Sequence, residues 1–466
     1  MTRFLSPALA LLLAVPALAQ TFPSTPPEPG PPRPFELPEG RSFALDNGLE
    51  VTLVPYGAIP KATVRAVVRV GNVDEAAGQS SLADLTAGLL TEGTASRSSQ
   101  EIATEAAEMG GSLGAGAGLD QTFVFGEALS EFTPDLVALV ADVLQNPSFP
   151  DEAFERVQRD QLRGAAVARS QPGTLARAAF SRALYGDHPY AAVVLPDAAQ
   201  IEGATVQDVR AFYESMFGPE RTRLYVVGQF DARAVEVALR RAFGGWTGAA
   251  GTSDPTPPAA TSGRRVILVD QPGAAQSNVT IGLPTIDPTD DDFVALAVTN
   301  ALLGGSFGSR ITRNIREDKG YTYSPGSAVS SRYRSGFWAE SAAIQTPATG
   351  PAITEILYEI DSLATTAPSM DELEGIQNYL AGTFVLQNSS PAGIASFLSF
   401  LDLHGLGRDY LEDYVERVYA VTPEDVRRVT ADYLDADDLT IVVVGDRAVV
   451  EEQLAPFGDV TVEVLE

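Results

Sequence analysis

Apolar and polar residues alternate along several short segments of this chain and recur at helical spacing along longer ones. Residues 61–70 alternate as in a strand with one buried face, and the Asp-Asn-Gly sequence at 46–48 is typical of a β-hairpin turn. Helices follow the strands in each half of the chain, which predicts an α+β fold. In the first half the pattern predicts strands at 42–45, 49–54 and 61–70, helices at 82–90 and 100–109, a glycine-rich hairpin at 111–129, and helices at 134–144, 151–168 and 174–184.

The second half of the chain repeats part of the first half at a constant offset of 217 positions. The sequence Thr-Val-Gln-Asp-Val-Arg at 205–210 returns as Thr-Pro-Glu-Asp-Val-Arg at 422–427, and apolar runs that end at Gly228 and Gly445 follow them. Both units have the pattern of a capping Thr followed by an amphipathic helix, a turn and a buried strand. We therefore expect two homologous domains, each a mostly antiparallel sheet packed with helices. The second half is predicted to contain strands at 265–269 and 279–283, a helix at 293–303, strands at 322–330 and 336–343, five helical segments and a final strand.

Two segments without regular patterning divide the chain. Eight prolines lie between positions 21 and 40, so residues 20–40 are expected to form an extended tether. Residues 247–263 contain no bulky apolar side chain and are predicted to form a linker. The predicted domains are therefore 41–246 and 264–466.

The first nineteen residues have the pattern of a secretory signal peptide. Arg3 precedes an apolar run at 4–15, and Ala17-Leu18-Ala19 is a small-residue cleavage site. The run is short for a membrane span, although an uncleaved anchor is the alternative. We expect a mature protein that begins near Gln20, is periplasmic or secreted, and has no membrane segment.

The composition excludes several classes of function. The chain has 61 acidic and 32 basic residues, a formal net charge of −29, so binding to nucleic acid is not expected. It has no cysteine, which excludes disulfides, thiolate metal sites and cysteine nucleophiles. Its two histidines, His188 and His404, lie 216 positions apart and form no local metal motif. We expect His188 to be a structural turn residue and His404 to cap a helix end as a cation.

Three motifs resemble the pitrilysin/insulinase family of zinc metallopeptidases, and the likeness extends from about residue 35 to the end of the chain. The motifs are Leu-Tyr-Gly-Asp-His-Pro-Tyr at 184–190, Asn-Ala-Leu-Leu-Gly-Gly-Ser-Phe-Gly-Ser-Arg at 300–310 and Ile-Arg-Glu-Asp-Lys-Gly-Tyr-Thr-Tyr-Ser at 315–324. The resemblance implies the two-domain fold that the internal repeat also predicts.

The resemblance places a degenerate zinc motif in the first half. Active members carry His-x-x-Glu-His on a helix. The first ligand aligns here with Asp84, the general base with Ala87 and the second ligand with Gly88, and a third ligand farther along the chain aligns with Gln161. Zinc catalysis needs three protein ligands, an open position and a base. The resemblance therefore implies that this chain holds no zinc and has no catalytic residue of its own.

The second half keeps the residues that the family uses to bind substrate. Arg316 and Tyr323 have the seven-residue spacing of the family's substrate-binding pair, with Tyr321 as a rival for the tyrosine. Gly304, Gly305 and Gly308 resemble a substrate-handling glycine-rich loop. The resemblance implies a heterodimer in which a zinc-bearing homologous subunit supplies the metal and this chain contacts the peptide substrate.

Two other interpretations remain open. The chain could be a structural scaffold, as the family's relatives in the respiratory bc complex are. It could also bind peptides on its own, at the exposed edge of the hairpin at 111–129.

Overall fold

The computed structural model describes residues 36, 38–249, 255, 257–258 and 263–463. The predicted signal peptide and most of the predicted tether and linker lie outside these residues. In the described part of the chain, no helix is long and apolar enough to cross a membrane.

The first half forms one six-stranded sheet with helices packed against it. Its strand order is β1-β2-β6-β3-β5-β4, with every pair antiparallel except β2 and β6. The strands are β1 (Arg41–Ala44), β2 (Glu50–Pro55), β3 (Lys61–Val68), β4 (Ser112–Ala117), β5 (Thr122–Leu129) and β6 (Thr222–Gly228). The helices are α1 (Leu82–Leu90), α2 (Ser99–Glu108), α3 (Thr133–Gln145), α4 (Asp151–Arg169), α5 (Pro172–Tyr185), α6 (Ala198–Gly203), α7 (Val206–Met216) and α8 (Ala232–Phe243).

The second half forms another six-stranded sheet, in the order β12-β7-β11-β8-β10-β9. Its strands are β7 (Arg265–Asp270), β8 (Gln276–Thr285), β9 (Gly326–Arg332), β10 (Ser335–Gln345), β11 (Thr440–Gly445) and β12 (Val460–Glu463). Its helices are α9 (Phe293–Asn300), α10 (Thr349–Thr365), α11 (Met370–Gln387), α12 (Pro391–His404), α13 (Asp409–Glu412), α14 (Tyr414–Ala420), α15 (Pro423–Tyr433) and α16 (Arg447–Leu454). The α+β prediction is confirmed.

The sequence repeat corresponds to a repeat in topology. Strand β6 lies between a parallel β2 and an antiparallel β3, and β11 lies in the same way between β7 and β8. The two sheets differ at one edge. The N-terminal strand β1 pairs with β2 antiparallel, whereas the C-terminal strand β12 pairs with β7 parallel.

Each half covers part of the sheet of the other half. Helix α5 packs on β8 and β11, and helix α12 packs on β3 and β6. The Tyr225 hydroxyl of β6 donates a hydrogen bond to Asp402 of α12, and Ser399 of α12 bonds the Gln121 side chain at 3.1 Å. The described residues between Pro34 and Glu466 therefore form one compact unit.

The predictions for the second half are wrong at three places. The helix predicted at 293–303 ends at Asn300 and continues as a π-helical turn, Ala301–Gly305. The strand predicted at 322–330 begins only at Gly326, because Pro325 has no N–H for the ladder. The predicted final strand, β11, is followed by α16 and by β12, whose four residues are too few for a clear alternating pattern.

Candidate functional site

Helix α1 carries the positions that align with the family's zinc motif. Asp84 lies in its first turn, and Ala87 is buried. Gly88 faces helix α4, where a Cβ atom at position 88 would lie 3.0 Å from Cγ1 of Val157. Gln161 lies one turn farther along α4. The fold therefore brings these two helices together, but Ala87 and Gly88 have no atom that could bind a metal ion.

The polar side chains beside Asp84 are joined by hydrogen bonds. The Asn72 amide donates to Asp84 at 2.8 Å and to Glu75 at 3.1 Å. Burial raises the pKa of Asp84, and burial raises the pKa of Glu75 to about 7. Among the described residues no group of three or more His, Cys, Asp or Glu side chains could hold a metal ion. The donor set at the degenerate motif does not fit the zinc that an active family member holds.

Glu75 is a residue that the sequence analysis missed. Its carboxylate accepts hydrogen bonds at 2.9 Å from the backbone N–H groups of Ser81 and Ala83, at the start of α1. Ser81 occupies the N-cap position in a left-handed conformation, with φ of 69°, and its side chain makes no capping bond. Glu75 therefore caps the helix from outside it. Because it lies six positions before Ser81, the usual capping pattern gives no signal for it.

The glycine-rich segment of the second half packs closely against its surroundings. Gly304 and Gly305 end the π-helical turn that follows α9. A Cβ atom at Gly304 would lie 2.5 Å from Ser327 Oγ and 2.6 Å from Glu340 Oε2, and one at Gly305 would overlap the Asn300 side chain. At Gly308 a Cβ atom would meet nothing within 4 Å. The first two glycines are therefore required by close packing, whereas Gly308 lies at the open end of the loop.

Arg316 lies on a second π-helical turn, Thr312–Asp318, which ends at Gly320 in a left-handed conformation with φ of 66°. The Tyr321 N–H bonds back to the Ile315 carbonyl at 2.8 Å, as in a glycine-terminated helix. The Thr322 hydroxyl donates to the Ala343 carbonyl at 2.7 Å, which holds the chain on the end of β10. This turn brings the following residues back beside Arg316.

The structure distinguishes the two candidate tyrosines. Tyr321 is partly buried and packs against the core of the second half. Tyr323 is 80% exposed, and the Arg316 guanidinium lies 5.2 Å from the centre of its ring. Tyr323 is therefore the tyrosine that can meet a ligand together with Arg316.

Phe307 also lies beside Arg316, and the sequence analysis did not identify it. Its ring is 73% exposed and lies 4.4 Å from the Arg316 guanidinium. Arg316 thus lies against two exposed rings, and we call Phe307, Arg316 and Tyr323 the Arg–aromatic cluster. A single apolar residue in a glycine-rich loop has no periodicity, so only its exposure in the fold identifies it.

A cavity of about 620 Å³ lies beside the Arg–aromatic cluster, between the glycine-rich loop and the first turns of α11. Phe307 and Gly308 line one side, and Gly375 and Tyr379 of α11 line the other. The Arg310 guanidinium makes two hydrogen bonds to the Glu372 carboxylate, at 2.9 and 2.8 Å, and ties the loop to α11. The Arg310 hydrogen bonds lower the pKa of Glu372, so the pair is ionic at neutral pH.

The two histidines have structural roles, one of them unlike the prediction. His188 caps a short turn, where its Nδ1 accepts the Tyr190 N–H at 3.2 Å, as expected of a turn residue. His404 does end α12, but it is only 8% exposed and burial lowers its pKa to about 4. The prediction of a cationic cap is therefore wrong, because burial outweighs the opposing charge of Asp287 and keeps the imidazole neutral.

Two family models match this chain. The model "Insulinase (Peptidase family M16)" matches residues 54–197, and the model "Peptidase M16 inactive domain" matches residues 203–380. The first match contains α1 with the degenerate motif, and the second contains the Arg–aromatic cluster.

Similar proteins come from several bacteria. An uncharacterized zinc protease of Streptomyces coelicolor is 25% identical over 400 residues, covering 84% of this chain and 87% of that protein. An uncharacterized zinc protease of Mycobacterium tuberculosis is 28% identical over 395 residues, covering 84% and 89%. The crystal structure of a peptidase M16 inactive domain from Pseudomonas fluorescens superposes with a TM-score of 0.81 at 24% identity, covering 88% of this chain and 98% of that one.

Proposed function

Because this chain belongs to the insulinase family of peptidases, family M16, we propose that it is an exported, zinc-less subunit of such a peptidase. It binds the substrate peptide with Arg316 and Tyr323, while a zinc-bearing homologous subunit supplies the metal and its water. The observation that carries this proposal is the contrast between the two halves. Ala87 and Gly88, at two of the aligned zinc-motif positions of α1, have no side-chain atom that could bind a metal ion, whereas the Phe307 and Tyr323 rings are exposed beside Arg316.

The chemistry of the cluster fits a peptide. The Arg316 guanidinium has several N–H donors in a fixed plane, and they can bond successive peptide carbonyls. The Tyr323 hydroxyl adds one donor beside the carbonyl that is attacked, where negative charge develops in the transition state. The Phe307 ring lies against Arg316 and limits the positions that its guanidinium can take. The neighbouring cavity has room for a substrate side chain.

The partner is identified by co-purification from the native host, and the complex is then reconstituted. We expect the chain alone to hydrolyse no labelled casein peptides, since it cannot activate water. Added to its zinc-bearing partner, it should raise hydrolysis well above the rate of the partner alone. Elemental analysis should find zinc in the complex and none, after dialysis, on this chain.

Arg316→Ala and Tyr323→Phe should each lower the rate of the complex on the order of 100-fold, because each removes a donor aimed at developing charge. Gel filtration should show unchanged assembly. Arg447→Ala and Tyr358→Phe are matched controls, since both residues are exposed and lie on other helices, α16 and α10. Full activity with both cluster substitutions in place would assign the chain to the scaffold class instead.

The export part of the proposal rests on the signal-peptide pattern of the first nineteen residues. N-terminal sequencing of the native protein should find a chain that begins near Gln20. A native protein that retains Arg3 would contradict export by cleavage.

A further inference from the structure

Glu340 is a carboxylic acid in a row of core-facing residues. Strand β10 alternates between the two faces of its sheet, and its inward positions are Gly336, Trp338, Glu340, Ala342 and Ile344. Glu340 is only 1% exposed. A side chain of this type is rarely buried unless it is paired, so its surroundings need an explanation.

The two carboxyl oxygens of Glu340 have different environments. Oε1 accepts the Gly326 N–H at 2.8 Å, whereas Oε2 has no hydrogen-bond partner among the described residues. Its neighbours across the sheet are Ile281 of β8 and Ser327 of β9, and Gly304 lies against Oε2. None of these groups is charged. Burial raises the pKa of Glu340 well above its usual value and so favours the neutral acid.

Gly304 brings the π-helical turn directly against this carboxyl group. A Cβ atom at position 304 would lie 2.6 Å from Glu340 Oε2, so only glycine fits there. Asn300 fastens the same turn to the sheet, because its Oδ1 accepts hydrogen bonds from Ser327 Oγ at 2.7 Å and from Trp338 Nε1 at 2.9 Å. The turn and strands β9 and β10 are thus packed around Glu340.

Both segments that Glu340 contacts lead to the Arg–aromatic cluster. Gly304 precedes Phe307 by three residues, and Gly326 follows Tyr323 by three residues. We propose that Glu340 is a positioning residue, which holds these two segments so that Phe307 and Tyr323 flank Arg316. This inference rests on the proposed function of the cluster, but its structural part can be tested without a peptide.

Ionisation of Glu340 should release the cluster. A buried carboxylate with a single N–H donor is unstable. Its free energy falls if the π-helical turn or the 324–326 segment moves away and water hydrates the charge. The neutral fraction of Glu340 falls as the pH rises through its raised pKa. We therefore expect the cluster to become looser as the pH rises through this pKa.

Amide hydrogen exchange of the isolated chain tests the structural part. Glu340→Ala and Gly304→Ala should speed exchange in peptides that cover 301–309 and 322–327. Glu340→Gln keeps the shape and an acceptor for Gly326 but cannot ionise. Protection of both peptides in this variant should therefore fall less with rising pH than in the unchanged protein, after correction for the intrinsic pH dependence of exchange. Ile267→Val, at a buried position of β7 in the same sheet, is the control and should leave both peptides unchanged. Equal exchange in the unchanged protein, Glu340→Ala and Gly304→Ala would overturn the inference.

The reconstituted peptidase tests the link to the cluster. Glu340→Ala should lower peptide hydrolysis about 10- to 100-fold, the effect of a misplaced binding group, and Glu340→Gln should retain activity to higher pH than the unchanged protein. If Arg316→Ala lowers the rate and Glu340→Ala does not, the inference about Glu340 fails and the proposed function stands. If hydrogen exchange changes as expected but Arg316→Ala has no effect on the rate, the proposed function fails and the structural role of Glu340 stands.

Discussion

Glu75 stabilises the start of helix α1, which carries the degenerate zinc motif. Its carboxylate accepts the first free N–H groups of the helix, where the backbone dipole favours a negative charge. Burial nevertheless outweighs these bonds and raises the pKa of the group to about 7, from an ordinary value of 4.5. Glu75 is therefore partly protonated near neutral pH, and its titration contributes to the pH dependence of folding.

Glu75→Gln should flatten the dependence of stability on pH between about pH 4.5 and 7. Between the ordinary and the raised pKa the unfolded chain has lost the proton and the folded chain keeps it, so the free energy of unfolding falls as the pH rises. The shift corresponds to a loss of about 3 kcal/mol across this window. Urea unfolding at several pH values measures it.

Glu131→Gln, which changes an exposed carboxylate, is the control for this experiment. The assignment would be wrong if the Glu75→Gln and unchanged proteins gave parallel curves of unfolding free energy against pH.

Single residues differ in how well the sequence predicted them. The spacing of Arg316 and Tyr323 in a family motif identifies them as a pair, and in the structure their side chains lie beside each other. The choice between Tyr321 and Tyr323 needed the structure, because it depends on a turn at Gly320 and not on the alternation of a strand. Phe307, Glu75 and Glu340 gave no signal, since each acts through neighbours that are distant in sequence or irregular in spacing.

Helix α7 and helix α15 are the best examples of elements that the sequence predicts. Each begins with a capping box, in which Thr205 and Asp208, or Thr422 and Asp425, bond each other's backbone N–H groups. All the atoms involved lie within four residues, so the local sequence is sufficient. The π-helical turn at Ala301–Gly305 is the opposite case, because its form depends on contacts with Ser327 and Glu340 of the sheet.

Thr205→Ala and Thr422→Ala should destabilise the protein by similar amounts, about 1 kcal/mol each, because each removes the same cap from equivalent helices. The Thr hydroxyl oxygen accepts the Asp N–H at 3.3 Å in the first box and at 3.2 Å in the second. Urea unfolding measures the change, and Thr→Ser at either position should restore most of it. A loss confined to one of the two helices would contradict the equivalence of the repeated units.

The whole molecule depends on the exchange of helices between its halves. The linker composition predicts two domains of similar size, but helix α5 of the first half covers β8 and β11, and α12 of the second half covers β3 and β6. This exchange could not be predicted from the pattern, because an amphipathic helix does not indicate which of two similar sheets it covers. Neither sheet is completely covered by its own half, so we expect the halves to unfold together.

The two tryptophans of the chain test this directly, because Trp246 belongs to the first half and Trp338 to the second. Trp246→Phe and Trp338→Phe variants each leave one fluorescent probe, and in each variant that probe should report the same urea midpoint as far-UV circular dichroism. Phe180→Ala should then lower both midpoints equally, at a cost of about 3–5 kcal/mol. Phe180 is buried on α5, and its ring lies 5.6 Å from that of Phe337 in the second sheet. Val237→Ala, at an exposed position of α8, should change neither midpoint. Two separate midpoints, or a shift of one probe alone, would mean that the halves fold as independent domains.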